Sequence, residues 1–100
     1  MADPVAMDGN ARHEIEKLVE NMKPELRELL SAMPESELNG LHFGYGMWLR
    51  NQFRQNKLPH LFKFCSAMVL PENRSFDAIS GVAIREIWLL CKQRSRQTPN

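Results

Sequence analysis

Few side chains in this 100-residue sequence suit metal binding or covalent chemistry: three histidines, His13, His42 and His60, and two cysteines, Cys65 and Cys91. None stands at the paired Cys or His spacing of a structural zinc site. The nearest approach, His60 with Cys65, supplies one pair and no more. A nucleophilic cysteine needs a neighbouring base or cation to hold it as thiolate, and both cysteines sit in apolar stripes, which raise a thiol pKa. Gly40, Gly44 and Gly46 invite a phosphate-loop reading and fail it, because no strand precedes them and no Gly-Lys-Ser/Thr follows. No enzyme signature, cofactor motif or metal-ligand set emerges, and the expectation is a non-enzymatic protein without a cofactor.

What remains is charge. The chain carries a net charge of +1 and a pI near 7.8. Residues 1–40 nevertheless hold nine acidic against four basic side chains, and residues 41–100 hold three against nine. Such a division points to a charged partner for at least one half. On the basic side, Arg50, Arg54 and Lys57 offer a surface for nucleic acid, extended by Lys63, Arg74, Lys92, Arg94 and Arg96. A small helix-turn-helix-like nucleic-acid-binding or regulatory protein is therefore the alternative reading, and the pI, below the value of about 9 typical of that footprint, counts against it. On the acidic side, Glu14, Glu16, Glu20, Glu25 and Glu28 form the candidate partner-binding set, continued by Glu35 and Glu37. Glu16 and Glu20 stand four apart, a spacing at which like charges on a helix repel by about 0.2 to 0.5 kcal/mol, offset in part by Arg12 and Lys17. Clustered carboxylates suit a partner rich in Lys and Arg, with charge steering the encounter.

These groups need a scaffold, and the apolar spacing predicts one. A length of 100 residues with 43% hydrophobic content supports one core, so the reading is an all-α single compact domain of about five short helices. Residues 1–9 read as a flexible arm, 10–93 as the helical domain and 94–100 as a frayed basic tail. Asn10 is the expected cap of a first helix with Ile15, Leu18, Val19 and Met22 on its inner face. A second helix follows, from Pro24 with Leu26, Leu29, Leu30 and Met33, closed by Pro34. The organising element is read as a central helix over Leu38–Phe53, capped by Ser36, whose stripe is Leu38, Leu41, Tyr45, Trp48, Leu49 and Phe53. Within it Gly40 and Gly44 either pack closely against a neighbour or, with Gly46, mark a break. Leu58, Leu61, Phe62, Cys65, Met68 and Val69 give a fourth stripe, opened by Pro59. A fifth helix runs from Ser75 or Asp77 to about Gln93. Its apolar residues occupy more than one side, so it is either wrapped by the others or shared with a second copy in a homodimer. Trp48 and Trp88 are expected in the core. Uncharged runs such as Phe64 to Pro71 fall far short of the roughly 18 to 20 apolar residues of a membrane span. With no basic-then-apolar leader at the N-terminus, the expected location is the cytoplasm of a bacterial host.

The segment from His42 to Asn51, with Gly44, Gly46, Trp48 and Arg50 inside it, is followed by Leu61, Phe62, Asp77, Ser80 and Trp88. It resembles a family of small bacterial and phage domains of unknown function, whose members carry a His-Gly-x-Gly-x-Trp-Ile-Arg-Asn block and a later Asp-x-x-Ser helix ending near a Trp. The resemblance covers Leu38 to Trp88 and departs at Phe43 and in the loop after Phe53. It implies a helical fold and transfers no catalytic residue. Size, helical content and charge division are also similar in type to the phage-encoded anti-CRISPR proteins, several of which block DNA recognition by presenting acidic residues to a Cas surveillance complex. That similarity implies a basic nucleic-acid-handling protein complex as partner, held through the acidic face in place of DNA.

Overall fold

The computed structural model of the chain describes residues 7–41 and 44–97, with side chains placed as far as Ser95. Residues 1–6, 42–43 and 98–100 lie outside the described residues, and with them most of the arm read over 1–9, His42, Phe43 and the end of the basic tail. Five α-helices fill the described chain: α1 (Gly9–Glu20), α2 (Pro24–Ala32), α3 (Tyr45–Arg54), α4 (Pro59–Ala67) and α5 (Phe76–Gln97). Two 3-10 turns, Glu35–Leu41 and Pro71–Asn73, link them. No strand occurs among the described residues. The all-α single-domain reading holds.

The helix ends follow from local chemistry, with two changes from expectation. Asp8, not Asn10, caps α1: its Oδ1 accepts the Ala11 N–H at 2.7 Å. Met7 packs against the core, so the chain is already engaged three residues before Asn10. Pro24 opens α2 at a position where its missing N–H goes unneeded, and Glu25 lies at the positive end of the helix. Pro34 disfavours helical geometry at Met33, which is extended (ψ 134°), and α2 stops at Ala32. Ser75 caps α5 through the Ala78 N–H at 3.1 Å. That helix continues to Gln97, past the expected end at Gln93, so the residues assigned to a frayed tail begin as helix.

The expected central helix is not one helix. Glu35–Leu41 is a 3-10 turn containing Ser36, Gly44 (φ −98°, ψ −84°) precedes the first turn of α3, and the α-helix starts only at Tyr45. Three glycines within seven residues, each costing about 1 kcal/mol in helix propensity, make an interruption cheaper than a continuous helix. Of the two uses considered for them, the break is the one realised. Close packing falls to Gly46, where an added Cβ would meet Ile84 Cδ1 of α5 at 3.4 Å and the Leu41 carbonyl at 3.4 Å, while Gly40 and Gly44 face open space.

The organising element is instead α5, a helix of 22 residues and about 33 Å. All four other helices and the Glu35–Leu41 turn pack on it, and α1 also packs along α4. Ile79, Ala83, Ile84, Ile87, Trp88, Leu90 and Cys91 of α5 are buried with Ile15, Leu18 and Val19 of α1, Leu30 of α2, Leu49 and Phe53 of α3, and Leu61 and Cys65 of α4. Apolar residues on several sides of α5 are thus covered within one chain, while Phe76 and Leu89 remain exposed. The two tryptophans part company: Trp88 is 8% exposed and Trp48 is 45% exposed. Trp48 lies outside the core because the buried face of α3 is Gly46, Leu49 and Phe53, and Trp48 stands beside that face.

Candidate interaction surface

The acidic residues occupy three different settings. Glu14 of α1 turns inward, with its side chain 15% exposed. Helix α4 begins with Leu58 at the cap and Pro59 at the first position, so no local side chain serves the open N–H groups of its first turn. Glu14 serves them across 46 and 47 residues of sequence. Its Oε2 accepts from the His60 N–H at 3.2 Å and meets His60 Nδ1 at 2.7 Å, and Oε1 accepts from the Leu61 N–H at 2.7 Å. A carboxylate at a helix N-terminus satisfies orphan donors and the helix dipole together. Glu14 therefore acts as a tertiary cap that ties α1 to α4. Glu14→Ala is expected to lower stability by about 2 kcal/mol, read as the urea midpoint followed by circular dichroism. An unchanged midpoint would mean that α4 does not depend on this cap.

Glu16 and Glu20 stay at the surface of α1 and are each paired. Glu16 meets Arg12 at 3.1 Å on its own helix, and Glu20 meets Arg94 of α5 at 3.8 Å. Glu25 and Glu28 of α2 are exposed and form no ion pair among the described residues. Glu28 shares with Arg27, Ser31, Arg94 and Ser95 an open cavity of about 420 Å³ at the junction of α2 and the end of α5. Glu20 and Glu28 thus converge on the Arg94 end of α5. Glu35 pairs with Arg85 at 2.8 Å, a hydrogen-bonded contact that raises the arginine pKa further.

Of the three basic residues of the alternative reading, Arg54 and Lys57 are exposed and Arg50 is not. Arg50 is drawn inward, its side chain 13% exposed. Its Nη1 donates to Ser80 Oγ at 3.3 Å and its Nε meets Asp77 Oδ1 at 3.3 Å. Arg54 lies over the Phe76 ring at 5.0 Å and donates to Asn51. Lys57 is exposed in the turn beyond α3. The Arg50 contacts join the two separated halves of the sequence block, α3 and the start of α5. Ser80 is fully buried, and its hydroxyl also donates to the Asp77 carbonyl at 2.9 Å. Gly46 belongs to the same knot, since an added Cβ would lie 3.2 Å from Arg50 Nη1.

Other polar side chains that the sequence reading passed over close helix ends. Arg74 donates to the Ser66 and Val69 carbonyls at the C-terminal end of α4, both at 3.0 Å. From α5, Lys92 donates to the Ser31 carbonyl at 3.0 Å and Trp88 Nε1 to the Met33 carbonyl at 2.7 Å, both at the end of α2. Each bonds a carbonyl in or just beyond the last turn of a helix, where the helix's own N–H donors run out. The open signal in the sequence was negative: α2 and α4 have no basic residue in their last turns.

The thiols are free and buried. Burial, with Glu86 adding to it, pushes Cys65 up to about 12, and burial also raises Cys91, opposed by Arg27 and Arg94. Neither is held as a thiolate near neutral pH. Among the described residues no group of three or more His, Cys, Asp or Glu side chains is placed to hold a metal ion, and no helix is long and apolar enough to cross a membrane.

A one-domain helical protein with a buried Arg–Ser junction between its two motif blocks is the class that the fold defines. Within it, the family model for a domain of unknown function, DUF6794, matches residues 12–91, and the chain belongs to that family. No curated protein and no solved structure matches it. The match takes in α2, α3 and α4 whole and most of α1 and α5, including Arg50, Asp77 and Ser80.

Proposed function

We propose that this chain is a non-enzymatic protein–protein interaction module that docks through the carboxylates of α1 and α2. The observation that carries the reading is the exposure of Glu25 and Glu28 without an ion pair among the described residues. Glu16 and Glu20 add to the same half of the molecule through surface pairs. Such pairs are worth about 0 to 1 kcal/mol and are readily exchanged for a partner's arginines or lysines. The partner is a basic nucleic-acid-handling protein. Its specific form is a CRISPR surveillance complex in the cytoplasm of a bacterial host, whose positively charged channel accepts the acidic helices in place of target DNA. The protein is then a phage-encoded inhibitor of that complex.

The test is a triple charge reversal, Glu16→Lys, Glu20→Lys and Glu28→Lys. Because all three carboxylates lie outside the core, helical circular dichroism should be unchanged, while competition with target duplex for the surveillance complex should fall at least tenfold. Undiminished competition by the triple variant would end the acidic-face mechanism. So would competition that is absent in the native protein.

A further inference from the structure

On the side of α1 away from Glu16 and Glu20, the chain carries a second, chemically opposite surface. Leu18 and Met22 of α1, Leu26 of α2, Tyr45 and Trp48 of α3, and Leu58 line an open cleft of about 520 Å³. That volume falls in the range of about 300 to 1,000 Å³ typical of ligand sites. The Trp48 ring stacks on Tyr45 with centroids 5.4 Å apart and planes 26° apart, so an exposed indole is held in place by a partly buried neighbour. A fixed Trp–Tyr wall gives large contact area at small entropic cost, and these two residues are enriched among interface hot spots.

The rim decides what enters. Lys17 and Lys23, both exposed and from two different segments, border the cleft, with the amides of Asn21 and Gln52 beside them. Among the described residues the one carboxylate that lines it, Glu14, is committed to the N-terminus of α4 by two N–H donors and His60. We infer that this cleft is a docking site for an acidic peptide segment of another protein. The segment inserts large apolar side chains against Tyr45 and Trp48 while its carboxylates meet Lys17 and Lys23. The opposite signs of rim and occupant set orientation and encounter rate, and the apolar floor supplies affinity. This inference does not rest on the acidic-face reading, whose partner carries the opposite charge and approaches the other side of α1.

The experiment selects binders of the full chain from a display library of random 16-residue peptides and measures the enriched peptides by calorimetry. Enrichment of Asp and Glu together with Phe, Trp or Leu is expected. Affinity should fall at least tenfold with Trp48→Ala and again with the pair Lys17→Glu and Lys23→Glu. Both variants change exposed side chains, and retention of the native circular dichroism spectrum shows that the fold is intact. The Glu16, Glu20 and Glu28 reversal should leave peptide affinity within about twofold, which separates failure of this site from failure of the acidic face. No enrichment, enrichment of basic or uncharged peptides, or binding that survives Trp48→Ala would overturn the inference. Sedimentation showing a dimer of this chain that Trp48→Ala dissociates would also overturn it, by assigning the cleft to a second copy.

Discussion

Replacing Trp88 with alanine is expected to lower the unfolding free energy by about 3 to 5 kcal/mol, the range for large aromatics removed from a core. The side chain is only 8% exposed and is surrounded by the cluster centred on α5. Its removal also leaves the Met33 carbonyl without its 2.7 Å donor and takes away the ring beneath Lys92, whose ammonium lies 5.1 Å from the ring centroid. Lys92 in turn donates to Ser31, so the end of α2 loses one tie outright and the support of a second. Trp88→Phe separates these contributions. It keeps most of the apolar area, deletes the N–H bond, and should cost about 1 kcal/mol. Trp48→Ala should cost about 1 kcal/mol as well, mostly the lost ring pair with Tyr45, because Trp48 is nearly half exposed. Urea titrations followed by circular dichroism at 222 nm measure all three. Equal losses for the two alanine variants would place Trp48 in the core and remove the cleft described above.

This contrast shows what could be read from the chain and what could not. Period and punctuation were enough for most of the helices: Pro24, Pro59 and Ser75 stand where α2, α4 and α5 begin, and the inner face of α1 is the one the spacing marks, while of the α4 stripe Leu61 and Cys65 are buried and Met68 is exposed. The middle of the chain misled because an apolar stripe drawn through Leu38, Leu41 and Tyr45 keeps helical phase even where glycines interrupt the helix. Periodicity reports which residues face inward and says little about whether the backbone between them is continuous. Trp48 is exposed for another reason: glycine at position 46 lets α3 turn its Gly46, Leu49 and Phe53 face to α5, which leaves Trp48 at the edge.

The functional residues were legible to a lesser degree, for a reason rooted in tertiary structure. Glu14, Glu16 and Glu20 recur on one helix and look alike in sequence. One is a partly buried cap for a helix far along the chain, one pairs within its own helix, and one reaches α5. Only the lack of a side-chain acceptor at Leu58, ahead of Pro59, hinted that a carboxylate from elsewhere was needed. In the same way Arg50, Arg54 and Lys57 look like a basic run, yet Arg50 is drawn onto Ser80 and Asp77 while Arg54 stays exposed over the Phe76 ring. The fold pairs members of the two charged halves, Glu14 with His60, Glu20 with Arg94 and Glu35 with Arg85, by contacts that span tens of residues.

Arg50 gives the sharpest remaining test, because the two readings of it disagree in sign. If its role is to fasten α3 to α5, Arg50→Ala should lower stability by about 2 to 3 kcal/mol. That figure combines a charged hydrogen bond to a buried hydroxyl with the packing of the aliphatic stem. Arg50→Lys should recover only part of this, since an ammonium lacks the fork that reaches Ser80 and Asp77 together. Asp77→Ala should cost less than about 1 kcal/mol, because Asp77 is 82% exposed and its share is that of a surface pair. A double-mutant cycle of Arg50→Ala with Ser80→Ala should show coupling of about 1 kcal/mol, the signature of direct contact. The nucleic-acid reading expects the reverse: an Arg50→Ala protein that melts like the native one and loses a salt-dependent affinity for duplex. The side-chain geometry favours the first outcome. Arg50 is pressed against Gly46 at a place where even a methyl group would crowd its guanidinium, and a side chain so confined cannot reach a phosphate backbone without unfastening the two helices it joins.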